Sequence, residues 1–131
     1  MPPNYTYKGG NIMFNIDGRN VIRIIQGDTG ILKLKLEDYE LGEDDKVIFT
    51  VINKNVLVEI PGRNLREHPS ILKTITSFTP DGEAIIELRP EDTQSLEAKT
   101  YSYDIQVNTK DGRVDTVVPA NKFIVLEGIS V

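Results

Sequence analysis

The stretch EDTQSLEAKTYSYDIQV, residues 91–107, decides how the fold is read. Its first part is polar and carries helix-start chemistry: Pro90, just ahead of it, suits the first position of a helical turn, and Asp92 or Thr93 can cap exposed amides. From Tyr101 the character changes. Tyr101, Tyr103, Ile105 and Val107 alternate with Ser102, Asp104 and Gln106, and a period of two puts both phenols on the side of the aliphatic residues. The pattern predicts a short helical turn near residues 90–96 and then a strand whose tyrosines face a core.

Working outward, the same alternation recurs in short runs split by Gly, Asp, Asn and Pro. GILKLKLED (30–38) turns Leu32, Leu34 and Leu36 one way and Lys33, Lys35 and Glu37 the other, as in a sheet with one side on a core and one in water. NIMFNI (11–16) and VIRII (21–25) flank the turn DGRN and read as a hairpin. KVIFTVI (46–52) is apolar on both faces, Val47, Phe49 and Val51 opposing Ile48, Thr50 and Ile52. That predicts a central strand whose outer face is covered by the chain's own VLVEI and REHPSIL segments or by another subunit. SILKTITSF (70–78) and EAIIEL (83–88) are joined across Thr-Pro-Asp-Gly, with Ala84, Ile86 and Leu88 inward. QVNTKDGRVDTVV (106–118) places Asp111-Gly112 between two alternating runs, the strongest hairpin signal in the chain. Pro119, unable to donate to a ladder, must sit at an edge or a bulge.

Nine to eleven such strands, with no amphipathic helix longer than a turn or two, predict an all-β, antiparallel, two-layer sandwich, with a barrel as the second choice. A chain of 131 residues is the size of one domain, expected over residues 1–131, with 1–21 as a leading strand or hairpin extension. Residues 1–9 and 61–69 are the candidate loops. In immunoglobulin-type sandwiches a tyrosine near the start of the sixth strand bonds back to the preceding connection, two residues before an inward core position. LEAKTYSYDI (96–105) fits that spacing, with Tyr101 as the corner residue and Tyr103 as the core position. The competing reading makes Glu91, Asp92 and the two tyrosines a sugar or peptide site.

Twenty Asp and Glu against 15 Lys and Arg give a net charge of −5, and no basic cluster in the sequence offsets it, which argues against a nucleic-acid partner. The chain has no cysteine, which removes disulfides and thiolate chemistry. The N-terminal MPPNYTYKGGNIMF has neither the basic start nor the apolar run of a signal peptide, and no stretch approaches the roughly 20 apolar residues of a membrane helix. His68, the only histidine, precedes a proline in a polar loop, a poor setting for a base or a metal ligand. The motifs of acyl transfer, nucleotide hydrolysis and zinc catalysis are missing. The acidic runs GEDD (42–45) and PED (90–92) fall in turns, where they solvate a loop; weak calcium binding by Asp44 and Asp45 is the functional alternative.

The order IIQGDTGILKLKLED, DDKVIFTVINK, GEAIIELRPEDTQSLEAKTYSYDIQV, DGRVDTVVPANKFIV resembles a class of small phage and prophage structural proteins. It is similar to the N-terminal immunoglobulin-like domain of the siphophage baseplate upper protein. The matching features are Gly27-Asp28 before a core strand, the strand bearing Lys46, Val47, Phe49, Thr50 and Val51, the Pro-Glu-Asp-Thr turn, the Tyr-x-Tyr-Asp-Ile strand, and a last strand with Lys122, Phe123 and Val125. They span about residues 22–126. The resemblance implies a non-enzymatic tail or baseplate component made in the host bacterial cytoplasm and carried in the virion. It implies other virion or tail proteins, or further copies of the chain, as partners, and neither cofactor, nucleic acid nor membrane. The expected docking surfaces are the leading segment (Tyr5, Ile12, Phe14) and the outer face of the central strand (Ile48, Ile52). A carbohydrate- or cell-surface-binding β-sandwich is the alternative, weakened by the absence of tryptophan.

Overall fold

Residues with alternating apolar side chains form two sheets in the computed structural model, which describes residues 5–9, 15–16, 20–36, 39–53 and 69–128, with side chains described from residue 20 onward. The elements are β1 (Tyr5–Gly9), β2 (Asn15–Ile16), β3 (Ile22–Ile25), β4 (Gly30–Leu36), β5 (Lys46–Ile52), β6 (Ile71–Ile75), β7 (Ala84–Leu88), α1 (Pro90–Gln94), β8 (Thr100–Asn108) and β9 (Val114–Leu126). One sheet has three strands in the order β1-β4-β7, and the other six in the order β2-β3-β9-β8-β5-β6. The all-β class and the short helical turn are as the sequence predicts.

The alternation is realised side chain by side chain. Leu32, Leu34 and Leu36 of β4 and Ala84, Ile86 and Leu88 of β7 are buried, as are Val47, Phe49 and Val51 of β5 and Ile105 and Val107 of β8. Together with Ile22, Ile24, Phe123 and Val125 they make one core to which both sheets contribute. Burying each large aliphatic or aromatic side chain of this set contributes about 1.5–3 kcal/mol. The rings of Phe49, Tyr103 and Phe123 sit together in it, with centroids 5.6, 6.1 and 6.4 Å apart at tilted to edge-on angles that suit aromatic quadrupoles.

The expectation of a wholly antiparallel arrangement is corrected: β3 runs parallel to β9, Ile22 opposite Phe123 and Ile25 opposite Leu126, so the six-stranded sheet is mixed. Strands far apart in sequence are not joined by a tight turn, and nothing local forces them antiparallel. The hairpin expected around DGRN appears in the pairing of Asn15 with Arg23 and Ile16 with Ile22, whereas β1 joins the other sheet beside β4. The two strands flanking Thr-Pro-Asp-Gly also part company: β6 pairs with β5 and β7 with β4. Pro119 lies where the β8–β9 register slips, between Val118 opposite Ile105 and Asn121 opposite Tyr103. A second slip, between Val118 opposite Ile105 and Thr116 opposite Gln106, explains why consecutive Val117 and Val118 are both buried, since an irregularity resets the alternation.

Candidate functional site

Both phenols at the start of β8 are buried, and each spends its hydroxyl on a backbone carbonyl. Tyr101 donates to Glu97 O at 3.0 Å, four residues upstream in the connection that leads into the strand. Tyr103, 1% exposed, donates to Asn20 O and so ties the segment leading into β3 to the core. Burial, reinforced by the nearby Glu97 carboxylate, pushes the Tyr101 hydroxyl above its usual pKa. Tyr103 borders a small hollow with Thr50, Ile52, Ser102, Asp104 and Ala120, in which Asp104 is the one carboxylate among the described lining residues. Glu91 is exposed on α1, while Asp92 accepts from Arg89 N at 2.7 Å and pairs with Lys73 Nζ at 2.8 Å. Asp92 thus closes the helix start, and Lys73 is an inward-reaching charge on edge strand β6, a device that discourages edge pairing.

At the same end, Thr93 departs from the capping role its sequence suggests. Its side chain is fully buried and accepts from Gly27 N at 2.9 Å, in the β3–β4 turn where Gly27 has φ +81°. Gln26 donates to Leu96 O at 2.7 Å and accepts from Gly128 N at 3.1 Å. Two side chains therefore fasten three connections: the β3–β4 turn, the α1–β8 link and the segment after β9.

At the opposite end a single carboxylate does the same. Asp45, 2% exposed, accepts from the Tyr39 hydroxyl at 2.9 and 3.0 Å, from Gly42 N at 2.9 Å and from Lys110 N at 2.9 Å. Burial works to raise its pKa, but the Gly42 and Lys110 amides and the Tyr39 hydroxyl outweigh it and hold the carboxyl below the ordinary range. The same hydrogen bond pushes the Tyr39 hydroxyl up. Asp44 beside it has φ +71° at the third position of a turn closed by Asp45 N to Gly42 O at 3.0 Å, while its side chain is exposed. Of the pair read as a weak calcium site, then, one carboxylate is turned inward onto N–H and O–H donors and the other outward. GEDD marks an acidic turn, but only the packing selects which acid is buried.

The expected docking residues are divided. Ile48 and Ile52 are half-buried on the face of β5 turned away from the core, where Thr50 and the neighbouring Ser102 of β8 are buried. Tyr5 lies on β1, next to β4, with its side chain outside the described set; Ile12 and Phe14 lie outside the described residues, as does His68. The described aromatic side chains, Tyr39, Phe49, Phe78, Tyr101, Tyr103 and Phe123, all lie in the core or pack against it. Among the described residues no three His, Asp or Glu side chains converge as metal ligands would, and no helix is long and apolar enough to cross a membrane. No protein-family model matches the chain, and a search of curated proteins finds no match.

Proposed function

We propose that this chain is a non-enzymatic structural module of a phage or prophage particle, of tail or baseplate type. In this proposal it has an immunoglobulin-like sandwich fold and works by association with other virion proteins. The observation that carries it is the bond from the Tyr101 hydroxyl to Glu97 O, which has the geometry of a tyrosine corner. It falls in the Tyr-x-Tyr-Asp-Ile strand on which the resemblance to baseplate domains rests. Support comes also from how the ordered polar groups are used: Gln26, Asp45, Thr93, Tyr101 and Tyr103 all bond to backbone groups of other segments or of their own connections. Such bonds rigidify a scaffold. The packing of the described aromatic rings into the core leaves those rings poorly placed to stack on a sugar, which ranks the carbohydrate-binding alternative lower.

Particles banded from the producing bacterium after prophage induction should contain the chain, detected by peptide mass spectrometry at a fixed ratio to other particle proteins. Its absence from every particle fraction, with abundant protein left in the soluble fraction, would overturn the proposal. A glycan array run on the same protein tests the alternative.

A further inference from the structure

The outer face of the three-stranded sheet carries like charges that no ion pair among the described residues neutralises. Lys33 and Lys35 of β4 are half-exposed on the side away from the core, and neither makes an ion pair among the described residues. Cross-strand register sets Lys8 of β1 at the ladder position opposite Lys33. The acid available on β7, Glu87, stands opposite Ile31 and is engaged by Arg89 at 3.0 Å. Beside the lysines, Ile85 stands opposite Lys33 with 41% of its surface exposed. In a chain with 20 acidic and 15 basic residues, a locally basic face with an apolar neighbour is the exception.

The rest of the molecule supplies a surface of opposite sign. The connections at 39–45, 79–83 and 109–113 gather at one end: Asp45 holds Lys110 N, and a Cβ on Gly82 would lie 3.1 Å from Glu40 Cα. That end exposes Glu40, Glu43, Asp44, Asp81 and Asp111, against exposed Lys46 and Lys110 and an Arg113 paired with Asp115.

We infer that the Lys33/Lys35 face docks the acidic loop end of a second copy of this chain. Two basic faces repel, so the contact is heterologous, face to end, and propagates into a ring or an open chain according to the rotation between copies. The inference deepens the association role proposed above and rests on it.

Light scattering coupled to size exclusion, run at low and high salt, tests it. Charge steering acts over about 30 Å at 0.01 M salt and about 3 Å at 1 M. Wild-type protein should therefore associate at low salt and revert to monomer at high salt. Lys33→Glu/Lys35→Glu should weaken association at least tenfold, and so should Glu43→Lys/Asp44→Asn. The milder Lys33→Gln/Lys35→Gln serves if the first double variant melts early. The decisive measurement mixes the two defective proteins: one keeps the acidic end and the other the basic face, so they should form a one-to-one dimer and nothing larger. A strictly monomeric wild type, association unchanged by these substitutions, or no dimer on mixing would each overturn the inference. All three outcomes leave association with other virion proteins standing, whereas absence from particles would overturn that role and leave self-association untouched.

Discussion

The turns Thr79–Glu83 and Thr109–Arg113 have the same Thr-x-Asp-Gly design and share three hydrogen bonds, yet they do different work. In the first, Thr79 N donates to Glu83 O at 3.0 Å, Gly82 N to Thr79 O at 2.8 Å, and Glu83 N to Thr79 Oγ1 at 3.0 Å. The corresponding distances in the second are 2.9, 3.0 and 3.2 Å. Gly82 and Gly112 both take positive φ, +78° and +92°, as expected of the left-handed residue that closes such a loop. The second turn joins neighbours β8 and β9 in one sheet, while the first passes the chain from β6 in the six-stranded sheet to β7 in the three-stranded one. Their surroundings differ accordingly. Gly82 is buried against Glu40 and Leu41, whereas Gly112 is exposed with open space where a Cβ would go. Chain reversal is local chemistry; the sheet a strand enters after it depends on what packs beside the turn.

The contrast can be broken most sharply at Asp45, which holds the second turn and has no counterpart at the first among the described residues. Asp45→Ala strips the acceptor from the Tyr39 hydroxyl and the Gly42 and Lys110 amides, and should cost about 3–4 kcal/mol in urea unfolding. Because its folded pKa is depressed, the stabilisation from Asp45 is fully present above the unfolded value of about 3.9 and is lost as pH falls through the lower folded value. Asp45→Asn should flatten that acid limb, and an unchanged pH profile would contradict the geometry.

Next in size come the glycines. Gly82→Ala meets left-handed strain together with backbone contacts at 3.1 Å and should cost about 2–3 kcal/mol. Gly112→Ala meets the strain alone and should cost about 1 kcal/mol. Equal losses, measured by thermal or urea unfolding, would mean that the two turns do not differ in packing. The residue after each threonine gives a smaller effect of the same kind. Pro80 suits the second position of a turn, but Lys110 must keep its N–H for Asp45, so Lys110→Pro should cost about 2 kcal/mol. Pro80→Lys removes only a restraint on the unfolded chain and should cost less than about 1 kcal/mol. Thr79→Val should cost about 1 kcal/mol in the same unfolding measurement, and Thr109→Val somewhat more, because the Thr109 hydroxyl also donates to the Asp111 carboxylate.

Much of the fold was legible in the sequence because the signals were short-range. Leu32, Leu34 and Leu36 announce an inward face, Asp111-Gly112 a hairpin and Pro90 a helical start, and each is found where a few neighbouring residues dictate it. The parallel pairing of β3 with β9 was not legible, since no periodicity tells a strand which distant edge it will meet. Of the polar residues, the inward placement of Tyr101 and Tyr103 was visible through their spacing in β8. The fastening roles of Gln26, Thr93 and Asp45 were hidden, because each depends on an amide or carbonyl brought in from elsewhere: Gly27 N lies 66 positions from Thr93, and Lys110 N 65 from Asp45.

The amino-acid order by itself determined the extended conformation, the inward and outward sides of most strands and the chemistry of the turns. All three follow from side-chain alternation and backbone preference over a few residues. Only the tertiary structure decided which strands became neighbours, which of three adjacent acids was buried, and that Lys8 would stand across from Lys33. The physical reason is that pairing and burial are settled by contacts between segments distant in the chain, where a donor finds its acceptor only after both sheets have formed around a common core.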